Sequence, residues 1–522
     1  MMKLSSLKKF RVAVSVLFFL LFAALFLDYS NFISPKYTNY ITYLQFIPSL
    51  LKFLNLFSLT AAGFIFILLL TVLFGRVYCS SVCPLGILQD IISLVSRKLH
   101  KKKYYSLTKE YTLLKYLFLV LAVISILSGS LIIINLLDPY SNFGRIFTQL
   151  FKPLVLAINN VLVYALAKFN IYWLYPQEIK AANILLTLFP LLFLSLVFWL
   201  AYKHGRLFCN TVCPVGTLLG LLSRISLFKV EIEKDNCISC KLCERVCKSG
   251  CIDKENKSVD VSRCVSCFNC FQVCPTEGIK YKLNFKPQKK NKKAAIFDIE
   301  KREFISSVAV FFIGILGSAY AQKKIVGKKA SKFPVFKKNP VSPPGSLSIK
   351  NFKDSCTACH LCISSCPSRV LQPSFLEYGF TGMLQPAMDY RTGFCNFECL
   401  ICSQVCPSGA ILPIGLEKKK TLQIGKAKFL KENCIVFTEK TDCGACAEHC
   451  PTKAVTMVPY GDVKSPEVKD EFCIGCGACE YACPTVPYKA IYVEGNAVHL
   501  TAKKKEEKQM KEKINYQEDF PF

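Results

Sequence analysis

Three kinds of motif are missing from this chain of 522 residues: it has no Walker loop, no dinucleotide fingerprint after a predicted strand and no flavin-attachment motif. Their absence leaves no obvious residues for phosphate or hydride chemistry. Acidic side chains are also few, 36 Asp and Glu against 66 Lys and Arg, for a formal net charge of +30. Such an excess would suit nucleic acid. The lysines, however, stand mostly in short runs beside apolar segments and are not interleaved with stacking aromatics, so no nucleic-acid partner is expected. Membrane-flanking and solvating roles explain them better.

What the chain has in abundance is cysteine, 29 in all. A disulfide scaffold of this length would scatter its cysteines through many small modules, whereas here they fall in tight quartets. "CVSCFNCFQVCP", residues 264–275, shows the pattern. The run C-x2-C-x2-C-x3-C-P is that of a [4Fe-4S] ligand set: three close thiolates wrap one cube and the fourth reaches a second. The quartets form three pairs. The first is Cys237, Cys240, Cys243, Cys247 with Cys264, Cys267, Cys270, Cys274. The second is Cys356, Cys359, Cys362, Cys366 with Cys395, Cys399, Cys402, Cys406. The third is Cys434, Cys443, Cys446, Cys450 with Cys473, Cys476, Cys479, Cys483. This threefold repeat predicts six cubanes with fourth ligands exchanged inside each pair, so that Cys274 joins the first triplet and Cys247 the second. A proline, as at Pro275 or Pro484, turns the backbone away after the fourth ligand. Gly475 and Gly477 are expected to let backbone amides approach cluster sulfides. Three positions depart from the pattern. Lys248 replaces the proline and Cys251 is a spare thiol, read as a small buried residue with an alternative ligand as the other choice. Cys395 and Cys399 are one residue further apart than usual, and Cys434 lies far enough from Cys443 that a three-iron site is an alternative there.

Long apolar stretches at 12–27, 57–74, 116–137 and 184–202 are each read as a membrane span, and a fifth at 304–321 as a span or export signal. Residues 154–166 are apolar but interrupted by Asn159 and Asn160, which suggests an interfacial or re-entrant helix. Lys and Arg before the first span and after the second place the N-terminus and the 75–112 loop in the cytoplasm. The first quartet pair follows on that side. "KREFISSVAVFFIGILGSAYA", residues 301–321, resembles a twin-arginine export signal with Lys301 in place of the first arginine. The last two modules are therefore expected outside the cytoplasm. The expected fold is an α-helical membrane bundle plus α+β, with five transmembrane helices and three two-cluster modules. Its divisions are a membrane domain 1–222, a module 223–285, a basic linker and fifth apolar segment 286–325, a linker 326–350, modules 351–420 and 421–500, and a polar tail 501–522.

A second repeat lies where spans end: "GRVYCSSVCPLG", residues 75–86, and "HGRLFCNTVCPVG", residues 204–216. Its thiols, Cys79, Cys83, Cys209 and Cys213, are candidates for a metal site, a redox thiol pair or a quinone contact, or else are buried thiols of a structural turn. Asp90, Asp138 and His204 are membrane-edge groups able to take protons.

The paired GR-x2-C-x3-CP-x-G motifs with a trailing two-cluster unit resemble the NapH and MauN type of membrane polyferredoxin, whose cysteine motif is shared with nitrous oxide reductase regulators. "LLDPYSNFGR", residues 136–145, resembles the loop these proteins carry after their third span. From about Ser331 onward the chain is similar to the NapG and MauM type of four-cluster exported ferredoxin, so the whole reads as two partner proteins fused. The resemblance implies a membrane-bound protein in bacteria or archaea, taking electrons from quinol and passing them to a protein redox partner. The alternative is a maturation or regulatory factor that reduces a metal or thiol of a client enzyme through the four membrane-edge cysteines.

Overall fold

The computed structural model describes residues 4–30, 32–56, 61–99, 105, 111–179, 184–284 and 333–504; the expected fifth span at 304–321 lies outside them. Helix α1, Leu4–Leu27, runs 24 residues without glycine or proline to break it. Three stretches are long and apolar enough to cross a bilayer: Ser6–Leu27, Pro139–Ala167 and Leu185–His204. Their lipid-type surface is open, with Leu20 60% and Val161 67% exposed.

Two of the expected spans are shorter than the hydropathy suggests. Of 57–74, the described helix is Gly63–Phe74, which ends at Gly75 with φ +74°. The run 116–137 is divided into Thr112–Leu127 and Ile132–Leu137, because Gly129 takes φ +71° in the intervening turn. Hydropathy is blind to such a reversal. Asn159 and Asn160 do not interrupt the helix Lys152–Ala167. Asn159 accepts from the Tyr29 hydroxyl at 2.9 Å and donates to the Tyr175 carbonyl at 3.0 Å, while Asn160 donates to the Gln177 carbonyl at 2.7 Å. These amides fasten the segment that follows.

Each quartet pair is embedded in short helices and two-stranded antiparallel ribbons. In the first, Phe228–Ile232 pairs with Ile279–Leu283, closing the two halves of the module on one another. It has its own small core, with Val230, Ile252 and Ile279 buried among the cysteines. In the second, Leu371–Pro373 pairs with Pro386–Met388. The third combines the ribbon Val455–Tyr460 with Val463–Val468 and the longer pairing of Leu422–Phe429 with Ile491–Thr501. The second and third modules share one core with the helical domain and form a single block. Cys395 N donates to the Cys476 carbonyl at 2.9 Å, and Tyr390 packs on Gly477 across their seam. Residues 333–350, expected as a linker, also belong to this block. Val341 and Ser346 are buried, and Lys337 pairs with Glu480 at 2.7 Å. Proline and lysine content therefore marked an extended strap, its polar groups satisfied by the third module.

The two blocks dock at opposite ends of α1. Lys8 Nζ donates to Gln272 Oε1 of the first at 2.6 Å, and the Phe26 carbonyl accepts from Ser364 Oγ of the second at 2.6 Å. Between those two residues the helix rises about 27 Å, at roughly 1.5 Å per residue.

Candidate metal centres

The cysteines that spacing groups across the two halves of each module lie together in space. Cys237, Cys240, Cys243 and Cys274 line one cavity of the first module. Cys247, Cys251, Cys264, Cys267 and Cys270 line its neighbour. Cys251 is thus on the cavity itself, its Sγ 3.5 Å from that of Cys247. In the third module Cys434 shares a cavity with Cys443, Cys446 and Cys483, so its long separation from Cys443 is absorbed by the short helix Ile435–Thr438. The second module follows the same rule. Cys406 acts electrostatically on Cys356, Cys359 and Cys362, and Cys366 on Cys395, Cys399 and Cys402.

The donor chemistry fits polynuclear iron. Burial, reinforced by neighbouring thiols, pushes Cys359, Cys446 and Cys476 each up to about 12. Without a cation such sulfurs hold their protons. Bound iron would take the place of those protons and make ligation part of the folding energy. Among the described residues no three His, Cys, Asp or Glu groups close on a point as ligands of one ion do. An iron-sulfide core sits between its four sulfurs and spreads them more widely.

Local backbone supports the last quartet, Cys473 to Cys483. Gly475 and Gly477 have φ of +76° and +79°, and a Cβ on Gly477 would fall 2.0 Å from Tyr390 Cδ1. Close packing therefore requires both glycines, in addition to any amide approach. One charge escaped sequence reasoning. Lys419 is buried with its Nζ 3.2 Å from Cys395 Sγ, and it follows no motif that would have singled it out. His360 is also buried beside the second module's thiols; burial lowers it to about 3, and Nε2 meets the Leu384 carbonyl at 2.8 Å. It is a neutral positioning group.

The membrane-edge repeat forms an interlocked pair. Arg76 Nη2 donates to the Cys209 carbonyl at 3.3 Å and Arg206 Nη1 to the Cys79 carbonyl at 2.5 Å, so each repeat's arginine holds the other's cysteine turn. Both guanidinium groups are fully buried. A Cβ on Gly86 would lie 2.3 Å from the Cys79 carbonyl and one on Gly216 2.2 Å from that of Cys209, which explains the motif's last glycine. Cys213 caps the helix Pro214–Leu222, its Sγ accepting from Gly216 N at 3.3 Å. All four thiols are buried, 3 to 4% exposed.

The three proposed proton-taking groups have structural partners. Asp90 accepts from Arg206 Nε at 2.7 Å, pairs with Lys248 of the first block and lies 3.5 Å from Arg11 Nη1. Although burial works to raise it, Arg206 and Lys248 hold its carboxyl well below the usual range. Asp138 caps the helix Pro139–Ile146, accepting from Ser141 N at 2.8 Å and Oγ at 2.6 Å. His204 lies against the Trp199 ring at 6.4 Å between centroids. The "LLDPYSNFGR" loop is likewise tied internally, Asn142 Nδ2 donating to the Leu136 carbonyl at 2.8 Å. It docks the second block at Gly144, where a Cβ would fall 2.3 Å from the Cys359 carbonyl.

Fold and quartets together define a ferredoxin-type iron-sulfur protein. The family described as a 4Fe-4S binding domain matches residues 56–102 and 186–233, the two halves of the membrane-edge repeat. A 4Fe-4S dicluster domain matches residues 441–486 in the third module. Among curated relatives, ferredoxin-type protein NapF of Escherichia coli (strain K12) is 26% identical over 159 residues, 30% of this chain and 88% of the relative. The methylamine utilization ferredoxin-type protein MauM of Methylobacillus flagellatus is 26% identical over 179 residues, 33% and 73% of the two chains. Ferredoxin-type protein NapG of Escherichia coli (strain K12) is 30% identical over 153 residues, 27% and 64%. No solved structure matches. The chain is thus similar to ferredoxin-type proteins of the Nap and Mau systems.

Proposed function

We propose that this protein is a membrane-bound electron conduit whose six cysteine quartets each hold a [4Fe-4S] cluster, with quinol as the electron source and a protein as the terminal partner. When bound, each cubane supplies a one-electron redox centre. Oxidation of one quinol gives a quinone, two protons released to water and two electrons for the conduit.

The observation that carries this reading is the contact of α1 with one block at Lys8 and with the other at Phe26. The basic N-terminal segment favours a cytoplasmic first block and thus an extracytoplasmic second one. Exposed Tyr172, Trp173 and Tyr175 beside Asn159 and Asn160 suit the lipid headgroup level at the second block's end. Within that block, the Cys359 carbonyl meets the bundle at Gly144, and Cys395 N donates to the Cys476 carbonyl, contacts that support a series of quartets leading away from the membrane domain.

The test is reconstitution of the anaerobically purified protein in liposomes with menaquinol. Electron paramagnetic resonance signals of reduced clusters are expected to grow with quinol oxidation. Intact clusters that menaquinol leaves oxidised would remove quinol as the donor.

A further inference from the structure

Four quartets share the spacing C-x2-C-x2-C-x3-C, those that begin at Cys237, Cys264, Cys356 and Cys473. In the last three, the loop around the second ligand is a docking surface within the protein itself. After Cys264, Val265 is 1% exposed and Ser266 Oγ donates to the Phe74 carbonyl at 3.3 Å, at the end of a bundle helix. After Cys356, Thr357 is 1% exposed and His360 Nδ1 meets Gln149 Nε2 of the bundle at 2.9 Å. After Cys473, Ile474 is 4% exposed and the Cys476 carbonyl accepts from Cys395 N of the neighbouring module at 2.9 Å.

The loop after Cys237 has no such seat. Ile238, the counterpart of Val265, Thr357 and Ile474, is 64% exposed, and Leu242 is 39% exposed. Among the 29 cysteines only Cys240 is exposed, the others being buried or half-buried. The first block meets the bundle through Lys248, Ser262 and Ser266, which flank the other cavity and leave this ligand loop open. Its rim is basic: Lys241, Lys254 and Lys257 line the cavity and no acidic residue does. Lys254 pairs with Glu244 at 3.8 Å and Lys257 Nζ donates to the Cys237 carbonyl at 2.9 Å, while Lys241 stands exposed in the loop. A second copy of this chain would set lysine against lysine, so charge favours an occupant of the opposite sign. A small apolar centre inside a charged rim suits the brief contacts of electron-transfer proteins.

We propose that the loop 238–242 is the docking surface for an acidic one-electron carrier protein, which exchanges electrons with the cluster site of Cys237, Cys240, Cys243 and Cys274. It rests on the reading of the quartets as cluster sites and gives the conduit a second port, at the first block. When the carrier is the donor, its own centre is oxidised by one electron and the cluster is reduced by one. No bond forms or breaks and no proton moves.

The test uses the full chain purified without oxygen in detergent, with a small acidic two-cluster ferredoxin as the probe. Binding of the oxidised probe is followed by calorimetry, and cluster reduction by the reduced probe in stopped flow. Both are expected to weaken as salt rises. The double variant Ile238→Glu, Lys241→Glu should slow reduction roughly tenfold or more at low salt, with iron content and spectra unchanged. Lys428→Glu, an exposed charge on the second block, should change neither rate nor binding. In case Ile238→Glu disturbs the neighbouring cluster, Lys241→Glu alone should still lower the rate at low salt and flatten its salt dependence. Rates and binding indifferent to salt and to Lys241→Glu overturn the proposal, as does an equal loss in Lys428→Glu. Wild-type dimers that Lys241→Glu dissociates would give the surface to a second copy and overturn it too. A first block without iron refutes the underlying reading, whereas a fully loaded protein that ignores the probe refutes this proposal alone.

Discussion

Replacing Lys419 with methionine removes the positive charge nearest the cluster assigned to Cys366, Cys395, Cys399 and Cys402. The ammonium lies 3.2 Å from Cys395 Sγ and donates also to the Asn396 carbonyl at 3.2 Å. At that separation an effective dielectric constant of about 20 gives an attraction of about 5 kcal/mol for a full charge localised on the sulfur. The transferred electron is spread over the whole core, which reduces the effect to about 2 to 3 kcal/mol, or about 90 to 130 mV for one electron. The sign is fixed because the reduced core is the more negative one. Loss of the lysine disfavours it, so the potential falls. A redox titration followed by electron paramagnetic resonance should show one of the clusters displaced downward by this amount, with the others displaced far less. An unchanged set of potentials at full cluster content would refute the placement of that charge beside an electron-accepting site.

The Asp90→Asn variant leaves Arg206 and Lys248 buried without their anion, and should lower stability by about 3 to 5 kcal/mol, measured by denaturation in detergent with cluster absorbance as the signal. Because the folded carboxyl titrates below its unfolded value of about 3.9, its contribution is present above that pH and is lost only as pH falls through the folded value. Cluster retention between pH 8 and pH 5 should therefore show no step from Asp90. Gly477→Ala places a methyl in the Tyr390 ring at a backbone angle unfavourable to L-residues, and should cost upward of about 2 kcal/mol, read as earlier thermal loss of clusters from the second block. Cys251→Ala should keep the iron content of the wild type, while Cys247→Ser should lose or convert one cluster of the first block, as counted by iron and by spectra.

Ligand spacing is a local property, and for that reason the pairing of Cys274 with the triplet at Cys237, Cys240 and Cys243 was legible in the sequence. The insertion before Cys443 was the point where spacing ceased to decide, because a short helix after Cys434 can fold the extra residues away. The ion cluster at Asp90 was not legible. Its partners Arg206 and Lys248 stand 116 and 158 positions away, and nothing in their own surroundings marks them as its counter-ions. Span lengths were misjudged where a Ser-Gly-Ser turn reverses an otherwise apolar run at Gly129. The strap at 333–350 was hidden by a composition that looks the same whether its polar groups meet water or, as Lys337 does, meet Glu480. The arginines of the GR motif could have been found as interlocking elements, since each repeat carries one and neither has an acidic neighbour in sequence.

The most direct measurement is the iron and sulfide content of the full chain isolated and handled without oxygen. Six filled quartets predict about 24 irons and as many sulfides per polypeptide. A preparation with intact folded protein but only a few irons, or with these cysteines joined to one another as disulfides, would contradict the account.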